Sequence, residues 1–239
     1  MPRTDSGERI YAIGDIHGRY DLLRLLLDKI GEHSQALPPS ESLHVVFLGD
    51  LVDRGPESAK VVEFLYDLDK RTDQVIVLMG NHEEAMVRSI DGDASILQRW
   101  LAVGGAETVQ SYGLRLPGER EDPRQYIRYL QSSLPHRQMR WLRSRPLIAR
   151  SGDYFFCHAG IRPGVPLHRQ ARDDLLWIRE DFVEDQADHG AVIVHGHTIE
   201  PKVTFRPNRI GIDTGAYCHG VLTALYLEEE KQELIAVSE

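Results

Sequence analysis

The chain has 239 residues, 41% hydrophobic and 27% charged, with 28 Lys+Arg against 37 Asp+Glu and a formal net charge of −9. That length and mixture suit one globular domain with a full core and exclude disordered and fibrous classes, while the acid excess argues against general nucleic-acid affinity. Cys157 and Cys218 cannot build a disulfide framework, and no run nears the roughly 18 apolar residues of a membrane span; with no apolar leader core in MPRTDSGERI, a cytoplasmic location without a membrane partner is expected.

In chain order, the first apolar run, ERIYAI, ends in Gly14-Asp15-Ile16-His17-Gly18, and helical periodicity follows from Tyr20 to Ile30. HVVFL leads into Gly49-Asp50-Leu51-Val52-Asp53-Arg54-Gly55 and a second helical stretch, Glu57 to Leu68. VIVLM leads into Gly80-Asn81-His82-Glu83 and a third, Glu83 to Ile90. Residues 84–157 read mostly helical, with breaks at Gly104-Gly105, Pro117-Gly118 and Pro135. This stretch is too long for a loop and predicts a helical cap inserted at about 91–150 in a single domain spanning 1–239. Within it, Arg115 to Arg150 holds nine Arg, no Lys and three acids, a local charge of +6. A solvated helix face is the ordinary reading of such a run, and a substrate-facing patch is the alternative.

DYFF and AVIV come next, ending in Cys157-His158-Ala159-Gly160 and His195-Gly196-His197-Thr198. From about Lys202, alternation at Val203-Thr204-Phe205, Ile210-Gly211-Ile212, Val221 to Leu227 and Leu234 to Val237 predicts antiparallel strands. Before that point, alternating strands and helices predict βαβ units with a largely parallel sheet, in which ligands bind outside the carboxyl ends of the strands. All five polar clusters fall at such ends, so one convergent site is expected.

The residue types in those clusters suggest its chemistry. Asp15 and His17 are two apart on an extended chain and face the same way. Asp50 adds a carboxylate able to bridge two ions, Asn81 an amide oxygen, and His158 and His197 two imidazoles. Oxygen and nitrogen donors without thiolate suit a dinuclear centre of Mn, Fe or Zn, and such centres serve phosphoester hydrolysis. Arg54 can donate a planar fork to phosphate, and His82 can act as general acid with Asp53 holding its ring.

GDIHG at 14–18, GDLVDRG at 49–55, GNHE at 80–83, HAG at 158–160 and GHT at 196–198 resemble, in order, the signature of the phosphoprotein phosphatase group of calcineurin-like metallophosphoesterases. The resemblance implies an α/β fold, a four-layer α/β/β/α sandwich. It also implies a first metal on Asp15, His17 and Asp50 and a second on Asp50, Asn81, His158 and His197, with His82 and Asp53 as the acid pair and Arg54 on phosphate. In Leu175-Leu176-Trp177-Ile178-Arg179-Glu180, which resembles a segment of bacterial and phage-type members, Arg179 is the second phosphate arginine. The implied cofactors are two divalent ions, Mn first, with Fe or Zn as alternatives.

Ile212 to Tyr217 (IDTGAY) departs from the eukaryotic catalytic subunits, so their regulatory docking is not carried over. His195 competes with His197 for the ligand role, and His197, at the GHT position, is preferred. Asp213 and Tyr217 resemble residues at the active-site rim of the bacterial branch, with buried structural roles as the alternative. Cys157 lacks the Cys-x5-Arg spacing of a cysteine phosphatase, and no GxxxxGK[ST] loop occurs.

Asp53 and GNHE resemble the serine/threonine protein phosphatase branch, so hydrolysis of phosphorylated protein or a small phosphoester by direct hydroxide attack is the first expectation. A symmetrical dinucleoside tetraphosphate hydrolase or another nucleotide phosphatase is the alternative. A non-catalytic binding scaffold of the same fold would be expected to lose ligands that are all present here.

Overall fold

A computed structural model describes residues 1–239. In chain order its first half runs β1 (Glu8–Ile13), α1 (Tyr20–Ala36), β2 (Ser42–Phe47), α2 (Ser58–Asp69), β3 (Val75–Val77) and α3 (Asn81–Ile90). Four further helices follow: α4 (Ala94–Trp100), α5 (Ala106–Ser111), α6 (Pro123–Ser133) and α7 (His136–Arg143). The second half runs β4 (Ile148–Ser151), β5 (Tyr154–Cys157), α8 (Arg172–Trp177), α9 (Glu180–Val183), β6 (Val192–His195), β7 (Thr204–Phe205), β8 (Arg209–Gly211), α10 (Ala216–His219), β9 (Val221–Glu228) and β10 (Lys231–Ser238).

These strands form two five-stranded mixed sheets, in the orders β10-β9-β1-β2-β3 and β4-β5-β6-β8-β7. The five polar clusters therefore end strands of two sheets rather than one: β1, β2 and β3 in the first, β5 and β6 in the second. Alternation along β1 shows why the sheets stack. Ile10 and Ala12 face an inter-sheet core with Val46, Tyr154, Phe156, Val194 and Leu225, while Tyr11 and Ile13 face the helices. On that side α1 buries Leu22, Leu23, Leu26 and Ile30, one apolar stripe at helical spacing. Beyond the second sheet, Leu175, Ile178 and Phe182 cover Phe155 and Ile193. The result is the four-layer α/β/β/α arrangement.

Two details differ from the sequence reading. β8 pairs parallel with β6, and only its contact with β7 is antiparallel, because the chain returns across the sheet after β6. β4, a short strand antiparallel to β5, was not expected; its exposed Ile148 and Arg150 break the apolar run that marks a strand. The helices α4 to α7 pack on the body: Trp100, Val109, Tyr126, Leu130 and Leu142 belong to the same buried core as Leu26, Val61 and Met86.

Candidate metal centre and active site

The loops after β1, β2, β3, β5 and β6 bring their polar residues together at one buried place. His17, Asp50, Asp53, Arg54 and His197 all have positive φ, between +45° and +75°, and only one other non-glycine residue, Glu229, does. Such backbone is costly for residues with a Cβ and persists where surrounding contacts over-determine it. Here the contacts are identifiable. The Glu83 carboxylate accepts four backbone N–H bonds, with Oε2 receiving Asp50 at 2.8 Å and Gly80 at 2.9 Å, and Oε1 receiving Leu51 at 2.8 Å and Val52 at 3.1 Å. One fully buried side chain thus ties the loop after β2 to the start of α3.

Donor atoms converge around Asp50. Its Oδ2 lies 3.4 Å from His17 Nε2, and its Oδ1 lies 3.4 Å from His158 Nε2, so the carboxylate faces two different imidazoles through its two oxygens. Asn81 Oδ1 sits 2.8 Å from His158 Nε2 and 3.0 Å from His197 Nδ1, and those two nitrogens are 3.2 Å apart. The backbone fixes the tautomers: His17 Nδ1 is 2.8 Å from the Val52 carbonyl and His158 Nδ1 is 2.9 Å from the Leu48 carbonyl. Each must donate there, leaving Nε2 as a lone pair aimed inward.

Burial lowers His158, holds His17 down at about 3 and His197 at about 2, in each case against the pull of Asp50, so the imidazoles are neutral. The Asp50 carboxyl lies below its usual range although burial opposes it, and of the imidazoles around it only His82 is itself raised. Turned with its nitrogen inward, Asn81 would donate to Asp50, His158 and His197; with its oxygen inward, the cluster is lone pairs alone. A divalent cation satisfies that second arrangement, and neutral imidazole with carboxylate and amide oxygen is the donor chemistry such ions take. The residues therefore fit the metal.

Two three-residue groups gather closely enough to hold an ion, His17 with Asp50 and His82, and Asp50 with His158 and His197. Asp50 is common to both. Asp15, expected as a ligand of the first metal, lies in neither group. Its carboxylate accepts the His197 backbone N–H at 3.0 Å and adjoins Asp213; burial, Asp213 and Asp50 raise it well above the ordinary range. Asp213 is raised to about 6, by burial and by Asp50. His195 points elsewhere, with Nδ1 3.0 Å from Gly196 O and its ring against Phe182.

The candidate acid and phosphate groups lie beside these donors. His82 Nδ1 is 2.6 Å from Asp53 Oδ2. Although burial opposes it, Asp50 and Asp53 together raise the His82 imidazole. Asp53 is itself held by Trp100 Nε1, which donates at 3.0 Å, and by Thr108 Oγ1, which donates at 2.6 Å while accepting the Asp53 N–H at 2.8 Å. Sequence reasoning missed Glu83, Trp100 and Thr108 as supports; the last two lie 47 and 55 residues from Asp53 in no motif.

The Arg54 guanidinium donates to His17 Nε2 at 3.2 Å and His82 Nε2 at 3.0 Å and lies 4.5 Å from the centre of the Tyr217 ring. Its backbone N–H reaches the carbonyl of Gly104, whose φ of +122° admits no ordinary side chain and where a Cβ would fall 2.6 Å from Arg54 N. Arg54, Arg179, His82, Asp50, His197 and Tyr217 line one open cavity of about 330 Å³. A larger cavity of about 590 Å³, lined by Asp185, Arg206 and Arg209 among others, contains none of these donors. Cys157 is buried and its thiol is pushed up, so it is no nucleophile.

A sequence profile of the calcineurin-like phosphoesterases matches residues 8–226. The chain belongs to that family. Among curated relatives, the bis(5'-nucleosyl)-tetraphosphatase PrpE [asymmetrical] of Bacillus cereus is 28% identical over 91% of this chain and 89% of its own length. The protein of the same name from Bacillus velezensis is 29% identical over 92% and 89%. Among solved structures, a "putative diadenosine tetraphosphatase" has a TM-score of 0.67 at 21% identity, covering 100% of this chain and 96% of that one. A cold-active protein-tyrosine phosphatase of a psychrophilic Shewanella has a TM-score of 0.59 at 21% identity, covering 98% and 82%. Both structures establish the shared fold.

This family member is a metal-dependent phosphoesterase. Its bound metal supplies an acidified water and polarises phosphate oxygens. The rest falls to the chain: Arg54 and Arg179 can bind and orient phosphate, and His82, with Asp53 at Nδ1, can hold a proton at Nε2 for a departing oxygen. No helix is long and apolar enough to cross a membrane.

Proposed function

We propose that this phosphoesterase hydrolyses bis(5'-nucleosyl) tetraphosphates with manganese in its metal centre, adding water to release one nucleoside monophosphate and one nucleoside triphosphate. The observation that carries this reading is an apolar cavity near the metal cavity, lined by Trp177, whose ring neighbours that of the metal-cavity residue His197. The Trp177 ring is 6.5 Å from that of His197, donates its indole N–H to Glu84 at 2.9 Å, and lines an apolar hollow of about 350 Å³ with Val103, Ile96, Trp100, Arg88 and Arg99. An exposed indole with flanking arginines beside a phosphate site suits an aromatic base joined to a phosphate chain.

The motifs that resemble protein phosphatases do not weigh against this. Asp53 and Glu83 are both fully buried, one behind His82 and one beneath the ligand loops, and neither reaches a substrate. They support the machinery and carry no information about what enters it. The names of the Bacillus relatives favour nucleotide over protein substrate, and asymmetrical over the symmetrical cleavage first considered.

Chromatography of the products formed from bis(5'-adenosyl) tetraphosphate with manganese tests the reading. AMP and ATP in equal amounts are expected. Two ADP would replace the asymmetrical assignment with the symmetrical one, and no nucleotide release from a preparation that dephosphorylates a phosphoserine peptide would overturn the proposal.

A further inference from the structure

No arginine between Arg115 and Arg150 lines the metal cavity. A separate cavity of about 400 Å³ opens between the end of α2 and α7, lined by Tyr66, Lys70, Arg137, Arg140, Trp141, Ser144 and Arg145. Four of these seven are cationic and none is a carboxylate. Arg145 is partly neutralised by Asp69 at 3.3 Å, whereas Lys70, Arg137 and Arg140 have no carboxylate within 4.0 Å. Elsewhere in the same segment Arg115 and Arg143 are paired, with Glu121 and Asp91.

The wall behind these cations is built. Trp141 is buried, donates its indole N–H to Asp69 at 2.8 Å and meets Tyr66 edge-on at 6.0 Å. The Arg145 guanidinium lies 4.6 Å from the Trp141 ring centre, and Lys70 Nζ 5.9 Å from that of Tyr66. Arg137, Arg140 and Trp141 stand at i, i+3 and i+4 on α7, so helical geometry turns both arginines toward one side. The place is distant from the metal donors. Ser58, which contacts Asp53, begins α2, and Lys70 follows its last residue, about 18 Å away along a twelve-residue helix.

Three unpaired cations converging on a concave, carboxylate-free surface repel one another, and an anion with several charges relieves that repulsion through charge-assisted hydrogen bonds. We propose that this cavity is a second, non-catalytic site for a small molecule bearing a chain of phosphates. Arg137 and Arg140 grip the phosphates, Lys70 and Arg145 complete the charge, and the Tyr66 side receives any base attached. An inorganic oligophosphate and a nucleoside triphosphate share this chemistry.

Calorimetric titration of the full-length chain, freed of divalent ions, separates them. With tripolyphosphate and with ATP in turn, one saturable equivalent is expected, weakened at least about tenfold in Arg137→Ala/Arg140→Ala and again in Lys70→Glu. Manganese-supported turnover should stay unchanged in both variants. Equal affinity for both probes identifies the phosphate chain as the whole ligand, and tighter ATP identifies a nucleotide. The altered residues are exposed, so unchanged turnover also reports intact folding. Absence of saturable binding overturns the proposal. So does full binding in both variants with loss instead in Arg54→Ala/Arg179→Ala.

Discussion

His82 Nδ1 lies 2.6 Å from Asp53 Oδ2, and that carboxylate is also held by Trp100 and Thr108 from the helical segment that follows α3. The imidazole thus keeps a fixed ring orientation, with Nε2, which accepts from Arg54 at 3.0 Å, on the wall of the cavity that a phosphate would enter. Replacing it separates chemistry from metal binding. In His82→Asn the ion at Asp50, His158 and His197 should remain, by elemental analysis, while kcat falls about 10²–10⁴-fold, the range of general acid catalysis.

Trp100 tests whether the helical segment takes part in turnover. Trp100→Phe removes the indole N–H from Asp53 and keeps most of the buried ring volume. One hydrogen bond to a charged group is worth about 1.5–3 kcal/mol, so kcat should drop roughly tenfold or more with KM nearly constant. A structural role alone would lower the melting temperature and leave kcat and its pH profile in place.

Glu83→Gln removes an acceptor pair. Its amide nitrogen would face two of the four backbone N–H groups now bound by carboxylate oxygens. Each buried donor left unsatisfied costs about 1–3 kcal/mol, so with two such donors denaturant melts should show a loss of about 2–6 kcal/mol. Metal affinity should fall with it, because Asp50 and Asn81 sit on the two segments that Glu83 ties together.

Gly104→Ala places a Cβ 2.6 Å from Arg54 N at a backbone φ of +122°. The strain should cost about 1–3 kcal/mol in stability and move Arg54, raising KM for phosphoesters more than a surface Gly→Ala change such as Gly118→Ala does. Steady-state kinetics of the two variants, side by side, makes the comparison.

Asp50→Asn should abolish both metal binding and turnover, since Asp50 is the residue common to both donor groups. Stripping the native protein with a chelator should likewise remove activity, and manganese should restore it. Turnover that survives complete metal removal would contradict the metal-centre account.

Much of the fold and site was legible because the signals are local. A strand followed at once by Asp, His or Asn beside Gly marks a ligand loop, and the order of the five clusters identifies the family. The unread parts depend on tertiary contact. Glu83 looks like one more acid in a helix start, and only the fold shows it spanning two loops. Trp100 and Thr108 read as ordinary helix residues until the chain brings them to Asp53. Asp15 sits in the expected motif, and the fold adds a contact that the motif does not announce, from the His197 amide to its carboxylate. The sheet assignment failed at β8 because alternation reports exposure and says nothing about which neighbour a strand joins.

Substrate class was the least legible, because Asp53 and Glu83, the two residues that pointed to a protein phosphatase, are buried supports. The central claim, nucleotide rather than protein phosphate, is tested most directly by kcat/KM for bis(5'-adenosyl) tetraphosphate and for a phosphoserine peptide on one manganese-loaded preparation. The account predicts a preference of about 10²-fold or more for the nucleotide, on the order of 3 kcal/mol in transition-state binding. A preference for the peptide would contradict it.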